Sequence, residues 1–438
     1  MSTQQAVSLI NPAIPAAFPA LGDALTAPSQ RAESSGATWS GMTISVADDL
    51  AAVEAEWRAF EAHADGTAFQ TFDWLSKWQQ HIGAPAGTSP AIVIGRDLGG
   101  GILFLLPLAV EPAGFARRLT WLGSALCDYN GPLLAPGFAE RIGAGFPALW
   151  RQILVLLRAQ RYGFDFIDLS KMLERVGSQR NPFFDLETYA NPSGAYVASL
   201  GDNWDAYYAA KRSGPTRKKE RKQLKLLAEH GGSVHFAEVK KGDDPTASMT
   251  TLLEQKSRSF SRLGVRNDLT RPGFRDFYLD LATDPRTRRL THVSRLDVGG
   301  TMAATSLGLR FGDKYYLVLS SYQDGELARF GPGRAHLNEL LRWAIGAGVR
   351  QFDFTIGDEP YKRDWSDIVL RPHDHLSAVT FRGEVVVASM AAFRAAKRFI
   401  KQTPILWQAY SRLRTLRGSL RAGGKKAEPA VVESHDAD

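Results

Sequence analysis

The fold is decided by Tyr322–Trp365, YQDGELARFGPGRAHLNELLRWAIGAGVRQFDFTIGDEPYKRDW. Its Gly331-Pro332-Gly333 turn lets backbone approach a ligand without intervening Cβ atoms, and it opens a helix whose free N–H groups and dipole favour phosphate. Leu337, Leu340, Leu341, Ala344 and Ile345 follow at the three-four spacing of one buried helical face, and Gly346 and Gly348 supply the stop. Phe352-Asp353-Phe354 then reads as a strand. Directly after it come Gly357, Asp358, Glu359, Tyr361, Lys362, Arg363, Asp364 and Trp365, polar and aromatic groups at a strand's carboxyl end, where α/β proteins place sites.

Working outward, the preceding residues read as a strand (233–239), two helices (247–263 and 272–282) and a meander of three strands (291–296, 302–310 and 314–322) turning at Gly299-Gly300 and Phe311-Gly312-Asp313. After Trp365 the sequence predicts strands over 376–382 and 384–388 around Gly383. An antiparallel meander feeding a glycine-opened helix and then a strand is α+β, not a doubly wound sheet. Upstream, helices are expected near 48–63, 71–81 and 146–161, a strand pair over 91–110 turning at Leu98-Gly99-Gly100-Gly101, and a strand at Phe164–Asp168. Two short motifs repeat in the same order. Asp97-Leu98-Gly99-Gly100 resembles Asp297-Val298-Gly299-Gly300, 200 residues on, and Phe-Asp-Phe recurs 188 residues apart at 164 and 352. A tandem duplication is the expectation, joined within 181–201.

Length supports this division, since 438 residues exceed one ordinary core. The predicted segments are a disordered 1–41 rich in Ala, Pro and Ser, a first half over 42–195, a second over 196–390, and a basic amphipathic tail over 391–438. The formal charge of +7 is concentrated in that tail, where Ala391–Lys426 holds ten cations and no acid. A single cysteine, Cys127, excludes an internal disulfide and fits a reducing compartment, and the N-terminus has no basic leader, so a cytoplasmic location is expected. The longest apolar run, Ile102–Val110, is broken by Pro107 and too short to span a bilayer.

Residues 291–367 resemble the GNAT acyltransferase superfamily, and more narrowly residues 57–387 resemble its CelD-like group, named for a link to cellulose biosynthesis. The resemblance is carried by Gly331-Pro332-Gly333 before Leu337 and Leu341, by Phe352-Asp353-Phe354, and by Gly357-Asp358-Glu359-Pro360-Tyr361-Lys362 followed by Trp365. It implies two tandem GNAT-like domains, with mixed, mostly antiparallel sheets flanked by helices. It also implies an N-acyltransferase that moves an acyl group from acyl-coenzyme A, acetyl or longer, to an amine of a cell-envelope, exopolysaccharide or lipid precursor. Such tandem folds are similar to the Fem-type aminoacyltransferases, so tRNA-dependent aminoacyl transfer is one alternative. A non-catalytic nucleotide-binding regulator of polysaccharide synthesis is the other. The superfamily's first turn position, Arg or Gln, falls here on Ala328, with Arg329 one place late, and Pro332 removes an N–H donor. The first-half helix is read without a glycine turn, so that half is expected to be structural and to bind no cofactor.

Site residues follow from these readings. Gly331, Gly333, Arg334 and Ala335 are the expected cofactor contacts. Asp358, Glu359 and Tyr361 supply the carboxylate and phenol that proton transfer requires, against a role in capping the turn. Lys362, Trp365, Asp128 and Tyr129 are candidates for substrate binding, against surface and core roles. Cys127 reads as a buried small residue unless a His lies near it, and His373-Asp374-His375 as a loop with too few partners for a metal, so no metal is expected. The cations from Lys211 to Lys225 read either as a solvated helix face or as an edge for an anionic substrate. The tail's aromatics interleaved with cations suit an anionic membrane surface, and so peripheral association with an inner membrane. Nucleic acid is not an expected partner, except tRNA in the alternative reading.

Overall fold

The computed structural model describes residues 37–39, 41–160, 162–240, 242–263 and 266–402. The first half contains β1 (Ala37–Trp39), β2 (Met42–Ala47), α1 (Leu50–Glu61), α2 (Phe72–Trp78), β3 (Ser89–Asp97), β4 (Ile102–Ala113), β5 (Ala116–Trp121), β6 (Leu133–Leu134), α3 (Phe138–Ile142), α4 (Phe146–Ala159), β7 (Phe166–Met172), β8 (Arg175–Val176), β9 (Gln179–Arg180) and β10 (Tyr189–Ala190). Then come β11 (Ala195–Ser199), α5 (Trp204–Lys211), α6 (Gly214–Gly231), β12 (Val234–Glu238), α7 (Thr246–Leu263), α8 (Phe274–Thr283), β13 (Thr291–Val298), β14 (Thr301–Phe311) and β15 (Lys314–Tyr322). The chain continues with α9 (Pro332–Gly346), β16 (Gln351–Ile356), α10 (Pro360–Trp365), β17 (Ile368–Leu370), β18 (His373–Ala378) and α11 (Phe381–Gln402).

Two mixed sheets have the same order. One runs β2-β3-β4-β5-β7-β18-β10, with β1 beyond β2 and β6 on β4; the other runs β12-β13-β14-β15-β16-β11-β17. In each, the fourth and fifth strands are parallel, and the sixth is antiparallel to the fifth. The sixth strands are exchanged: β11, from the join, enters the second sheet, and β18, from the far end of the chain, enters the first. Each exchanged pair has a register irregularity, and β7 and β16 each hold a non-glycine residue in the left-handed region there, Lys171 (φ 59°) and Thr355 (φ 61°). A side chain at such φ is strained.

The halves also share one core. Phe69, Trp74, Leu75 and Tyr129 of the first half are buried together with Phe277, Tyr278, Leu281 and Tyr316 of the second. Trp74 meets Phe277 edge-on at 5.0 Å, and Phe69 meets Tyr316 at 5.6 Å. Beside them Lys77 Nζ lies 2.9 Å from Asp280 and 2.7 Å from Asp284.

Several local expectations need correction. Residues 384–388 are helical within α11, because Phe381 begins a 22-residue helix with Glu384 in its first turn. His373-Asp374-His375 is strand, not loop; Asp374 accepts from the Lys171 N–H, and His373 rests on Phe184. The first-half helix does have a glycine turn, Gly143-Ala144-Gly145, 188 residues before Gly331-Pro332-Gly333 and so at the Phe-Asp-Phe spacing. Trp121 lies one residue beyond the last β5–β7 pair, as Leu317 lies one residue beyond the last β15–β16 pair. Phe183 packs there, 5.1 Å from Trp121, 4.8 Å from Phe146 and 5.2 Å from Trp150, between the end of β5 and α4. Of the segment expected to be disordered, Ala37–Trp39 pairs with β2. The rest of 1–36 and the tail beyond Gln402 lie outside the described residues.

The exchange predicts that a fragment ending at Ser193 will not fold. Without β18 the inner edge of β7 is an unpaired row of backbone donors and acceptors. The expected outcome is aggregation during gel filtration. A monodisperse fragment with the circular dichroism of folded sheet would contradict it.

Candidate active site

The site begins where two parallel strands part. β15 and β16 pair from Lys314–Gln351 to Tyr316–Asp353, yet β15 runs on to Tyr322 and β16 to Ile356. The extra residue on β15 explains part of this. Leu307 faces Leu319 and Gly308 faces Leu317, so Val318 is bulged and twists the strand away from its partner. Beyond Leu317 the edge of β15 toward β16 is open.

Helix α9 starts beside that opening. Gly331, its N-cap, has φ 69°, a conformation glycine adopts freely, and Pro332 supplies the preset φ of a first helical residue. A Cβ on Gly333 would stand 2.9 Å from the Tyr322 ring, so glycine is needed for the turn to lie against β15. The N–H groups of Arg334 and Ala335 both return to Gly331 O at 3.1 Å. Among the described residues the Gly333 N–H has no acceptor. The helix packs through Leu337, Leu340, Leu341, Ala344 and Ile345, the face read from the sequence.

Between α9, α10 and the end of β15 lies a cavity of about 530 Å³, walled by Leu317, Ser320, Tyr322, Gly333, Tyr361 and Trp365 among others. Trp365 is fully buried, stacked on Tyr207 with ring centroids 6.0 Å apart and 11° between planes. Arg212 lies over the Trp365 ring at 4.1 Å and pairs with Asp364 at 3.0 Å. A wider pocket of about 820 Å³ lies on the outer side of α9 beneath α5 and α6. Arg217 and Arg221 of the basic stretch line it with Arg334, while Lys218, Lys219, Lys222 and Lys225 are exposed.

Ser320 and Tyr361 of the cavity wall adjoin a polar cluster drawn from both halves. The Tyr361 hydroxyl meets the Ser320 side chain, and burial, reinforced by the Glu359 charge, pushes its pKa up to about 12, so the phenol stays protonated. On the other side of Ser320, Lys256 Nζ of α7 donates to the Ser320 carbonyl at 3.2 Å. Glu359 pairs with Lys362 at 3.0 Å. Lys362 is buried, and its ammonium also caps the end of β16 by donating to Ile356 O at 3.0 Å. From the first half, Asp128 meets Thr355 and feels the charges of Lys171, Lys362 and Glu359, while burial raises its pKa.

Asp353 sits at the point where the strands part. Its Oδ1 accepts from the Tyr129 hydroxyl at 2.8 Å and from the Thr355 N–H at 2.7 Å. Burial dominates these bonds and raises its pKa to about 7.

The structure therefore lines one cavity with Tyr361, Trp365, Gly331, Gly333 and Arg334, while Glu359, Lys362 and Asp128 form a charged cluster beside it, outside its lining. Ala335 lines the outer pocket. Asp358 turns away: it is exposed and accepts from the Gly194 N–H at 3.4 Å and the Tyr196 hydroxyl at 3.3 Å on β11. Tyr129 is wholly buried at the seam, its hydroxyl engaged by Asp353. Cys127 is buried, and desolvation pushes its thiol up to about 12. Among the described residues no group of three or more His, Cys, Asp or Glu is placed to hold a metal ion. Lys256, Ser320, Thr355 and Asp353 were not singled out from the sequence. Lys256 had a readable signal, since it lies on the apolar stripe Met249, Leu252, Leu253, Phe260.

Residues 215–363, about a third of the chain, match the family model described as Acetyltransferase (GNAT) domain. No curated protein sequence matches the chain. Among solved structures, FemX shares the fold at a TM-score of 0.52 and 11% identity, over 74% of this chain and 96% of that one. The C-terminal domain of a putative lysylphosphatidylglycerol synthetase from Agrobacterium fabrum aligns at 0.47 and 11%, over 78% and 96%. A tandem GNAT protein from the clavulanic acid biosynthesis pathway aligns at 0.42 and 15%, over 77% and 98%.

The Asp353 pKa makes a signed prediction. It is raised in the folded state, so the folded chain holds a proton that the unfolded chain releases; stability is intact below about 3.8 and is lost as pH rises through about 7. Asp353→Asn keeps both acceptor contacts and cannot ionise. Its stability relative to the parent should rise between pH 5 and pH 8 in urea unfolding, since other titrating groups cancel in the difference. A pH-independent difference would show that Asp353 ionises freely.

Proposed function

We propose that the protein transfers an acyl group from an acyl-coenzyme A to a primary amine. The observation that carries this is the parting of β15 and β16 beside a glycine-opened helix, with a protonated phenol at the inner end of the gap. A pyrophosphate at the mouth meets the Gly333 N–H, the Arg334 guanidinium and the positive end of α9, roughly half an elementary charge. The amide-bearing arm of coenzyme A then lies along the open edge of β15, whose backbone pairs with amides as a sheet edge does. That path brings the thioester to Ser320 and Tyr361. Tyr361 donates to the departing thiolate. Glu359 is held by Lys362, and Asp358 points to β11, so neither serves as the base in this reading.

The acceptor is proposed as an amine of a cell-envelope, exopolysaccharide or lipid precursor, on the CelD-like resemblance of the sequence. A lipid-linked acceptor would be met at an anionic membrane surface, with the basic tail as the contact; that tail lies beyond the described residues. No helix among the described residues is long and apolar enough to cross a membrane.

Thermal shift with acetyl-coenzyme A, an aminoacyl-tRNA and a cyclic dinucleotide separates this reading from aminoacyl transfer and from a regulatory nucleotide site, because a ligand stabilises only a protein that binds it. Acetyl-coenzyme A alone is expected to raise the midpoint. By calorimetry, Gly333→Val, which drives a side chain into Tyr322, and Arg334→Glu should each weaken that binding at least about tenfold, roughly 1.4 kcal/mol. Unchanged affinity in both would remove the turn from the site. Tyr361→Phe should lower thiol release by roughly 10²–10⁴ with an unaltered unfolding midpoint. Equal loss of stability would make Tyr361 structural.

A further inference from the structure

We infer that Lys256 of α7 is the catalytic base that takes the proton from the acceptor ammonium, an assignment resting on the acyl-transfer reading above. Helix α7 buries Met249, Leu252 and Leu253 in the core shared by the two halves, and Lys256 stands one turn further along the same stripe. Its stem passes Phe260, with Nζ 5.2 Å from the ring centroid. Nζ then reaches the Ser320 carbonyl at 3.2 Å. Ser320 lines the acyl cavity, and its side chain meets the Tyr361 hydroxyl. The amine and the phenol therefore approach the inner end of the gap from either side of one residue.

Lys256 lacks what an ordinary interior lysine has. Among the described residues no carboxylate lies within 4.0 Å of its amine. The charges that face it come from α10 and the turn before it. Glu359 favours the ammonium, but Glu359 is already paired with Lys362, whose own charge opposes it. Tyr361 reaches it only through Ser320. Asp128, across the seam, acts on Glu359, Lys362 and on Tyr278 of α8. Burial outweighs these charges and holds the Lys256 amine below the usual lysine range. A desolvated lysine gives up its proton more readily than an exposed one, which suits general base work.

The step balances. The neutral Lys256 amine accepts one proton from R–NH3⁺, and the freed nitrogen attacks the thioester carbonyl, forming the C–N bond. The tetrahedral adduct collapses with cleavage of the C–S bond, and the thiolate takes the Tyr361 proton. The surplus proton on the new amide nitrogen returns to the phenolate, and Lys256 releases its proton to water. The products are one amide, one thiol and one proton.

Two measurements on the full-length protein test the assignment. Competitive labelling with 1-fluoro-2,4-dinitrobenzene across pH 6–11, read by peptide mass spectrometry, should show Lys256 reacting at lower pH than the exposed Lys219 and Lys225. Co-titration with those residues, or no reaction at any pH, overturns the proposal without reference to coenzyme A. Thiol release from acetyl-coenzyme A with a panel of primary amines gives the second readout. Lys256→Met should lower kcat by about 10²–10⁴ with the calorimetric affinity for acetyl-coenzyme A unchanged. Lys256→Cys alkylated to its aminoethyl thioether, a weaker base, should restore turnover with the acidic limb of the pH profile moved to lower pH. A raised KM at constant kcat, or restored turnover with an unmoved profile, would assign Lys256 to binding or packing. Failure of the parent protein to bind acetyl-coenzyme A would sink the acyl-transfer reading separately.

Discussion

The parting of β15 from β16 is the constraint from which the rest of the site follows. A parallel pair inside a sheet normally satisfies its backbone along its full length, and here it does so only to Tyr316 and Asp353. The bulge at Val318 turns β15 aside, and the left-handed Thr355 interrupts β16's extended course at the same level. Strain of this kind persists only where the surroundings over-determine it. They do so here: Asp353 holds the Thr355 N–H from one side, and Tyr129 of the other half holds Asp353.

The other half is thus part of the site's construction. Exchange of β11 and β18 makes each sheet depend on a strand from across the join, and the shared aromatic core leaves little freedom between halves. Asp128 and Tyr129 reach the parted strands only because of this seam. The first half repeats the glycine turn and the parallel pair, but there Phe183 packs with Trp121 and Trp150 at the end of β5.

What the sequence disclosed was what local physics encodes. The α9 face, its glycine start, the hairpin turns at Gly99-Gly100 and Gly299-Gly300 and the α+β order could all be read from periodicity and turn chemistry, and the observed elements lie within a few residues of those positions. The strand exchange could not, because it is a choice between two equally good partners far apart in sequence. Val385-Val386-Val387 looked like strand from β-branched content, yet it lies in α11, where the following Ala-rich residues and tertiary packing on β18 prevail. Within the site, the cluster after β16 was legible as chemistry, but the direction of each side chain was not. Asp358 and Glu359 are adjacent and face different partners, and the charge of Lys362 hid its burial.

We propose that a thioester enters between β15 and β16 from the mouth formed by Gly331-Pro332-Gly333. A crystal structure with coenzyme A tests it most directly. The expected result places the pyrophosphate within hydrogen-bonding distance of the Gly333 N–H, the pantetheine arm along the β15 edge beyond Leu317, and the sulfur beside the Tyr361 hydroxyl. Coenzyme A bound instead in the outer pocket beneath α6, with β15 and β16 unfilled between them, would contradict it.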